Sequence, residues 1–232
     1  MFDMLEKISI IIPVLNEAGA IANTLASIHN ADNVEVIVVD GGSEDETVAI
    51  VQELGIKVLS SIRGRANQMN AGAAAAMGDI LLFLHADTLL PDNFDKMVRQ
   101  ALSSKNNIAG AFELAIDGDM RSLRIIETMV NWRSRYLQMP YGDQAIFLNK
   151  NVFEHLGGFS NLPIMEDFEF VRRLQRLVKI DILPAKVLTS GRRWQKLGVL
   201  KTTLINQLII IGYFLGVTPG KLARWYRMKP KQ

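Results

Sequence analysis

An α/β fold, a mostly parallel sheet flanked by helices, is predicted by three observations. Apolar runs alternate with helical patterns over the first ninety residues. The runs are nearly continuous, as in strands buried on both faces. They also end on polar residues: Asn16 and Glu17, then Asp40, then Asp87. Ligands of parallel sheets bind beyond the carboxyl ends of the strands, so topology alone gathers three acidic residues on one edge.

The elements follow in order. Residues 8–15 read as a buried strand, and Ile21, Leu25 and Ile28 recur at helical spacing. Residues 34–39 form a second β-branched run, broken by Gly41 and Gly42. Ser43 stands three residues before Glu46, which predicts a capping box ahead of Val48, Val51 and Leu54. Residues 57–60 give a short strand, 65–77 an alanine-rich helix stopped by Gly78, and 80–84 a fourth strand leading into His85-Ala-Asp87. The second half is less regular. It suggests a strand over 109–116, a helix of mixed periodicity over 121–137 and a strand over 145–148. A helix opened by Glu166 and Asp167 follows, with Phe168, Val171, Leu174 and Leu177 inward. Two short strands over 180–183 and 187–188, an apolar helix over 199–215 and a short basic helix after Thr218-Pro219 complete the chain.

At 232 residues and 49% apolar content, the chain can build one substantial core. It has no cysteine, which excludes disulfides, thiolate zinc sites, iron–sulfur clusters and cysteine nucleophiles. His29, His85 and His155 lie far apart, against a histidine-rich metal site. Residues 1–7 lack the layout of a signal peptide. The longest apolar-plus-glycine run, 208–217, is too short to span a bilayer alone. A cytoplasmic protein is expected. Residues 1–181 carry 16 Lys/Arg against 24 Asp/Glu, a sum of −8, whereas 182–232 carry 10 Lys/Arg and no acid, a sum of +10. Either the tail meets something anionic or it folds back on the acidic body.

Several residues suit chemistry, each beside a plainer reading. Asp40 before Gly-Gly-Ser fits a base or sugar, or a simple turn. Asp87 fits Mg²⁺ or Mn²⁺, which prefer oxygen, or an N-cap for the helix near 91–97. Glu166 and Asp167 fit catalysis, or a helix dipole. Asp143 and Gln144 are similarly open. Arg63, Arg65, Gln68 and Asn70 offer phosphate contacts, or a solvated helix face.

The order of these pieces resembles the family 2 glycosyltransferases with the GT-A fold. The resemblance rests on Ile11-Ile-Pro-Val-Leu-Asn-Glu17, Val38-Val-Asp-Gly-Gly-Ser-Glu-Asp-Glu-Thr47, Asn70-Ala-Gly72, Gly78-Asp-Ile-Leu-Leu-Phe-Leu-His-Ala-Asp-Thr88, Gly142-Asp-Gln144 and Glu166-Asp167. It runs over about residues 8–190, and a small standalone bacterial branch is similar throughout, including the basic tail. It implies a GT-A domain over 1–190 and a basic, apolar helical extension over 191–232. It implies an inverting, non-processive transfer from a nucleotide-diphosphate sugar to an acceptor hydroxyl. Pro13, Glu17, Asp40, Arg65, Asn70 and Asp87 would bind donor, with Asp87 holding Mg²⁺ or Mn²⁺. Asp167, with Glu166 beside it, would act as base. Asp143, Gln144, Arg192 and Arg193 would face acceptor or diphosphate.

The sequence departs from the family pattern in three places. His85-Ala-Asp87 replaces the usual Asp-x-Asp. Met69 stands where arginine is common, with Arg65 one turn earlier. Ser190-Gly-Arg-Arg193-Trp194 resembles the Gln-x-x-Arg-Trp element of processive members without its glutamine. A sugar-phosphate nucleotidyltransferase would need a glycine-rich, arginine-containing signature after the first strand, and an oxidoreductase a G-x-G-x-x-G turn; neither is present. A decayed, non-catalytic membrane-recruited protein is the other alternative, with His85 for it and Asp87, Glu166 and Asp167 against it. Leu204, Leu208, Ile211 and Leu215 form one helical stripe, and Trp225 and Tyr226 sit among cations. This predicts an anionic membrane surface, with a lipid acceptor, or packing on the sheet or a second copy; nucleic acid is not expected.

Overall fold

The computed structural model describes residues 5–103 and 107–227, without the side chain of Arg227. Residues 1–4, from which the signal-peptide reading starts, and Lys229 and Lys231 of the basic tail lie outside the described residues. Eight strands form one sheet: β1 Ile8–Val14, β2 Val34–Asp40, β3 Val58–Ser60, β4 Ile80–Phe83, β5 Thr88–Leu89, β6 Ala109–Ile116, β7 Phe147–Asn149 and β8 Asp181–Thr189. Their order is β3-β2-β1-β4-β7-β6-β8-β5. The pairs β1–β2, β1–β4, β2–β3 and β6–β8 are parallel; those of β7 with β4 and β6, and of β5 with β8, are antiparallel. The predicted mostly parallel α/β fold is what forms.

Two cores explain the continuous apolar runs. Ile8, Ile10, Ile12 and Val14 face one layer; Ile11, with Val39, Leu81 and Phe83, faces the other. A strand with both faces covered has no polar alternate positions. The helices are α1 Ile21–Ala26, α2 Thr47–Glu53, α3 Arg65–Ala75, α4 Phe94–Leu102, α5 Arg121–Leu137, α6 Lys150–His155, α7 Glu166–Leu174, α8 Arg192–Leu197, α9 Val199–Phe214 and α10 Pro219–Arg227. Gly72 lets α3 lie close on the sheet: a Cβ there would sit 2.5 Å from Ile11 and 3.1 Å from Val39.

Four sequence expectations are corrected. Ser43 is not an N-cap: its hydroxyl donates to Asp40 Oδ1 and accepts from the Asn16 amide, and α2 begins at Thr47. Asp87 does not cap α4, whose N-cap is Asn93. Leu177 is exposed, because α7 stops at Leu174. The two strands expected after 180 are one, β8. Its register against β6 shifts between Phe112 and Glu113, leaving Pro184 and Ala185 unpaired, since proline has no ladder donor.

The mixed periodicity of α5 also has a cause. Its buried face carries Leu123, Glu127, Asn131 and Ser134 at steps of four, four and three, mostly polar. Asn131 accepts from Leu114 N–H at 2.8 Å and donates to Leu114 C=O at 3.0 Å, and Glu127 accepts from Ile116 N–H. β7 pairs only with the first two residues of β6. The helix thus supplies, through side chains, the partners a neighbouring strand would have given the outer half of β6.

Candidate active site

The loops after β1 and β2 are tied together before any ligand is considered. Asn16, at φ 55°, accepts from Glu44 N–H; Glu17 N–H donates to Thr47, and Ala18 N–H to Asp45. Asp40 accepts from Gly42 and Ser43 amides, so its carboxylate holds its own turn at the head of the strand. Gln68 donates from one amide nitrogen to both Val14 C=O and Val39 C=O, 2.8 Å each, and closes the strand ends from α3. Pro13 lies in β1 opposite Val39.

Glu17 and Asp87 converge at this edge. One nitrogen of Arg192 donates to Glu17 Oε2 at 2.7 Å and to Asp87 Oδ2 at 2.9 Å. The two carboxylates keep Arg192 protonated beyond its usual range. The turn that delivers it needs Gly191, where a Cβ would stand 2.1 Å from Asp117 C=O. A cavity of about 190 Å³, bordered by Asp87, Asp117, Thr189 and Arg192, opens beside the pair. A larger one of about 480 Å³, around Asp79 and Lys150, holds none of these residues. Two carboxylates sharing one cationic nitrogen are an all-oxygen donor set suited to a hard divalent cation. Among the described residues, no three His, Asp or Glu gather into a fuller metal cage.

A second cluster gathers at the start of α7. Met165 takes a left-handed conformation, φ 68°, immediately before α7, a strained backbone that fixes where Glu166 and Asp167 start the helix. Asp167 Oδ2 accepts from Gly142 N–H at 2.8 Å, and Oδ1 from Phe168 N–H at 2.7 Å. Glu166 is buried, 3.8 Å from Arg65. Burial, then the charge of Asp167, raises its pKa against the opposing pull of Arg65. Arg65 is held above its usual range by Glu166 and Asp167, which outweigh its desolvation. His85 packs under Gly142: a Cβ on Gly142 would lie 2.9 Å from His85 Nε2 and 3.1 Å from Asp167 Oδ2. Burial, then Arg65, pushes His85 down to about 3, so it is a neutral imidazole near pH 7.

Asp143 has a buried Oδ1 with no hydrogen-bond partner. Burial raises its pKa to about 6, with Arg133 opposing and Asp167 adding. Gln144 is fully buried, accepts from Ser134 and Tyr141 N–H and donates to Phe112 C=O, so it builds the loop. Asn70 likewise has both amide atoms on the Phe159 backbone. Sequence reasoning missed Arg133, whose guanidinium stacks 3.5 Å from the Tyr141 ring centroid beside Asp143. No spacing signal marked it, since Arg133 lies off the buried stripe of α5. Arg193 does not join the Glu17–Asp87 pair; it stacks 3.8 Å from the Tyr226 ring centroid.

Nucleotide-sugar transferases of the GT-A type share this architecture. The family model "Glycosyl transferase family 2" matches residues 9–159, and the chain belongs to that family. A PGL/p-HBAD biosynthesis glycosyltransferase of Mycobacterium bovis is 40% identical over 182 residues, 70% of this chain and 67% of that protein. An uncharacterized glycosyltransferase of Rickettsia felis is 36% identical over 103 residues, and the match spans 36% of its length. Among solved structures, a mannosyltransferase from Pyrobaculum calidifontis in complex with GDP-Man and Mn²⁺ aligns with TM-score 0.64 at 20% identity, covering 80% of this chain and 57% of that one. S. aureus TarS 1-349 in complex with UDP-GlcNAc aligns with TM-score 0.65 at 20% identity, covering 79% and 58%.

Proposed function

We propose that this glycosyltransferase moves a sugar from a nucleotide-diphosphate donor to an acceptor hydroxyl, with inversion and in single transfers. The observation that carries this reading is a pair of acid–cation clusters, one at the strand ends and one at the start of α7. Glu17 and Asp87 share the Arg192 cation, while Asp167 adjoins Glu166, which lies 3.8 Å from Arg65.

Pro13, Glu17 and Asp40 border the base and ribose, and Asn70 supports them through the Phe159 loop. Asp87 would hold Mg²⁺ or Mn²⁺, as the Mn²⁺ bound in the mannosyltransferase suggests, and such an ion would supply positive charge against the diphosphate. Asp167 takes the acceptor's hydroxyl proton as the oxygen attacks the anomeric carbon. The bond from that carbon to the diphosphate oxygen breaks with its electron pair leaving on the diphosphate, so Arg65 and Arg192 meet growing negative charge. Two backbone amides on Asp167 aim the carboxylate. Asp143 and Arg133 border the acceptor. The domain proper is 1–190, with 191–232 added to it.

The acceptor we favour is a lipid, reached from an anionic bilayer surface. Leu200, Leu204, Leu208, Ile211 and Leu215 are each more than half exposed, so the stripe is free while Ile209 and Gly212 pack inward. Lys196, Lys201, Lys221 and Arg224 are exposed around it. Each cation near an anionic surface contributes about 1 kcal/mol. No helix among the described residues is long and apolar enough to cross a membrane.

A screen of nucleotide sugars for binding and hydrolysis, with and without Mn²⁺, tests the activity. Metal-dependent release of nucleoside diphosphate from at least one donor is expected; none from any would refute it. Sedimentation with anionic vesicles that weakens with salt and in the Lys221, Arg224 and Arg227 to Gln variant tests the membrane reading. Equal sedimentation of that variant, or a salt-insensitive dimer in its place, would refute it.

A further inference from the structure

We infer that Tyr226, in the C-terminal extension, is a positioning residue of the transferase site: its ring holds the guanidinium of Arg193, the chain neighbour of Arg192, so that its N–H fork faces the departing diphosphate. This rests on the donor-site reading above and changes what belongs to the site.

The extension is built onto the body in steps that can be followed. The edge of Phe168, next to Asp167, meets the rings of Tyr213 and Phe214 at 5.2 and 5.8 Å, which seats α9 on the helix that carries Asp167 and Glu166. Gly212 in α9 then admits α10, since a Cβ there would lie 2.8 Å from Leu222. Leu222 is fully buried, and Tyr226, four residues on, shares its face. Trp225 is turned outward and is 47% exposed. Tyr226 therefore points back at the catalytic body while its neighbour does not.

At that place the ring meets Arg193, with 3.8 Å between guanidinium carbon and ring centroid. A guanidinium stacked by its face keeps its N–H fork available in its own plane, the geometry that recognises phosphate oxygens. The Arg193 Nε is buried and has no hydrogen-bond partner. An unmet buried donor is costly, and here it adjoins Arg192, which already reaches Glu17 and Asp87. Tyr226 thus holds, from the C-terminal extension, a cation that α8 carries. When the anomeric bond breaks, its electron pair leaves on the diphosphate, so cations fixed there act where charge increases. Among the described residues, no ring other than that of Tyr226 stacks on Arg193.

Calorimetry of the full chain with Mn²⁺ and each of ADP, CDP, GDP and UDP is the test, with circular dichroism as the folding control. Tyr226→Phe keeps the ring and should match wild type. Tyr226→Leu should weaken the nucleotide that wild type binds by about three- to thirtyfold, the range of a desolvated cation–π contact. In an Arg193→Gln background, Tyr226→Leu should cost almost nothing further, which a merely structural role would not produce. Full affinity in folded Tyr226→Leu, or losses that add in the double variant, would overturn the inference and leave the donor-site reading intact. If wild type binds none of the four, the donor-site reading falls and takes this inference with it. Should Tyr226→Leu fail to fold, Arg193→Lys, which keeps charge but loses the stacked fork, must show the loss; unchanged affinity there overturns the proposal equally.

Discussion

The two sides of the proposed site are made by different means. On the proposed donor face, strand ends and short loops are locked by backbone geometry: Asp40 holds its own turn, Asn16 and Thr47 lace two loops, and Gln68 closes two strands. On the opposite face, polar side chains are carried inward on helices and loops. Glu166 is buried and Asp143, Arg133 and His85 are partly buried, and each titrates away from its usual range. The donor face resembles a preformed socket. The other face stores unfavourable burial where the proposed reaction moves a proton, as active sites commonly do. Binding should therefore depend on the first face and turnover on the second, and substitutions can separate them.

The sharpest separation comes from Asp167→Asn. We expect donor hydrolysis and transfer to fall roughly a hundredfold to ten-thousandfold, with nucleoside diphosphate affinity within about twofold of wild type on the general-base reading. A variant of near-normal rate would move the base to Glu166 or to a water, so Glu166→Gln is measured alongside. Next is Gly142→Ala. The added carbon would press on His85 and Asp167, which should lower stability by about 1–3 kcal/mol and slow turnover more than it weakens nucleotide binding. Equal effects on both would blur the division between the faces.

Asp143→Asn should do the reverse and stabilise. An acid whose pKa rises from 3.8 to about 6 on folding binds its proton more tightly in the native state. The native state then loses stability as pH rises from about 4 to about 6, and the loss persists above that. Removing the charge should return about 1–3 kcal/mol at pH 7.5 and little at pH 4, as thermal melts would report. Neutral His85 has the opposite slope, since its pKa is depressed to about 3. Its contribution is present above about 6.5 and is lost as pH falls towards 3, so the comparison must be made between variant and wild type at each pH. The smallest effect on turnover is Asn131→Ala in α5. It leaves Leu114 N–H and C=O unpaired beside β6, at a cost of about 1–3 kcal/mol, with little change in turnover per folded molecule. Unchanged stability would mean that α5 does not complete the edge of β6.

The same contrast explains what could be read from residues alone. The donor face was legible because its strands are local, apolar and double-sided, and their ends fall on Glu17, Asp40 and Asp87. The position of Asp167 and Glu166 at a helix start was legible too. The Glu17–Arg192–Asp87 contact was not, because it joins residues 105 and 175 positions apart. The fate of Ser43 was misjudged because a capping-box spacing cannot show that the hydroxyl has a nearer acceptor in Asp40. Arg133 was hidden because it lies off the buried stripe of α5 and finds its partners in the loop that follows, at Met139, Tyr141 and Gln144. The tail was left between two readings, and the structure has room for both: Ile209, Leu222 and Tyr226 turn inward while Leu204, Leu208 and Ile211 remain outside.

Calorimetric titration of Mn²⁺ with nucleoside diphosphate into wild type, Asp87→Asn and Asp167→Asn bears most directly on the division of labour between the two faces. The account predicts metal-dependent binding in wild type, its loss by about a hundredfold or more in Asp87→Asn on the assumption of one lost metal ligand, and its retention in Asp167→Asn. Binding that survives in folded Asp87→Asn, or disappears in folded Asp167→Asn, would contradict it.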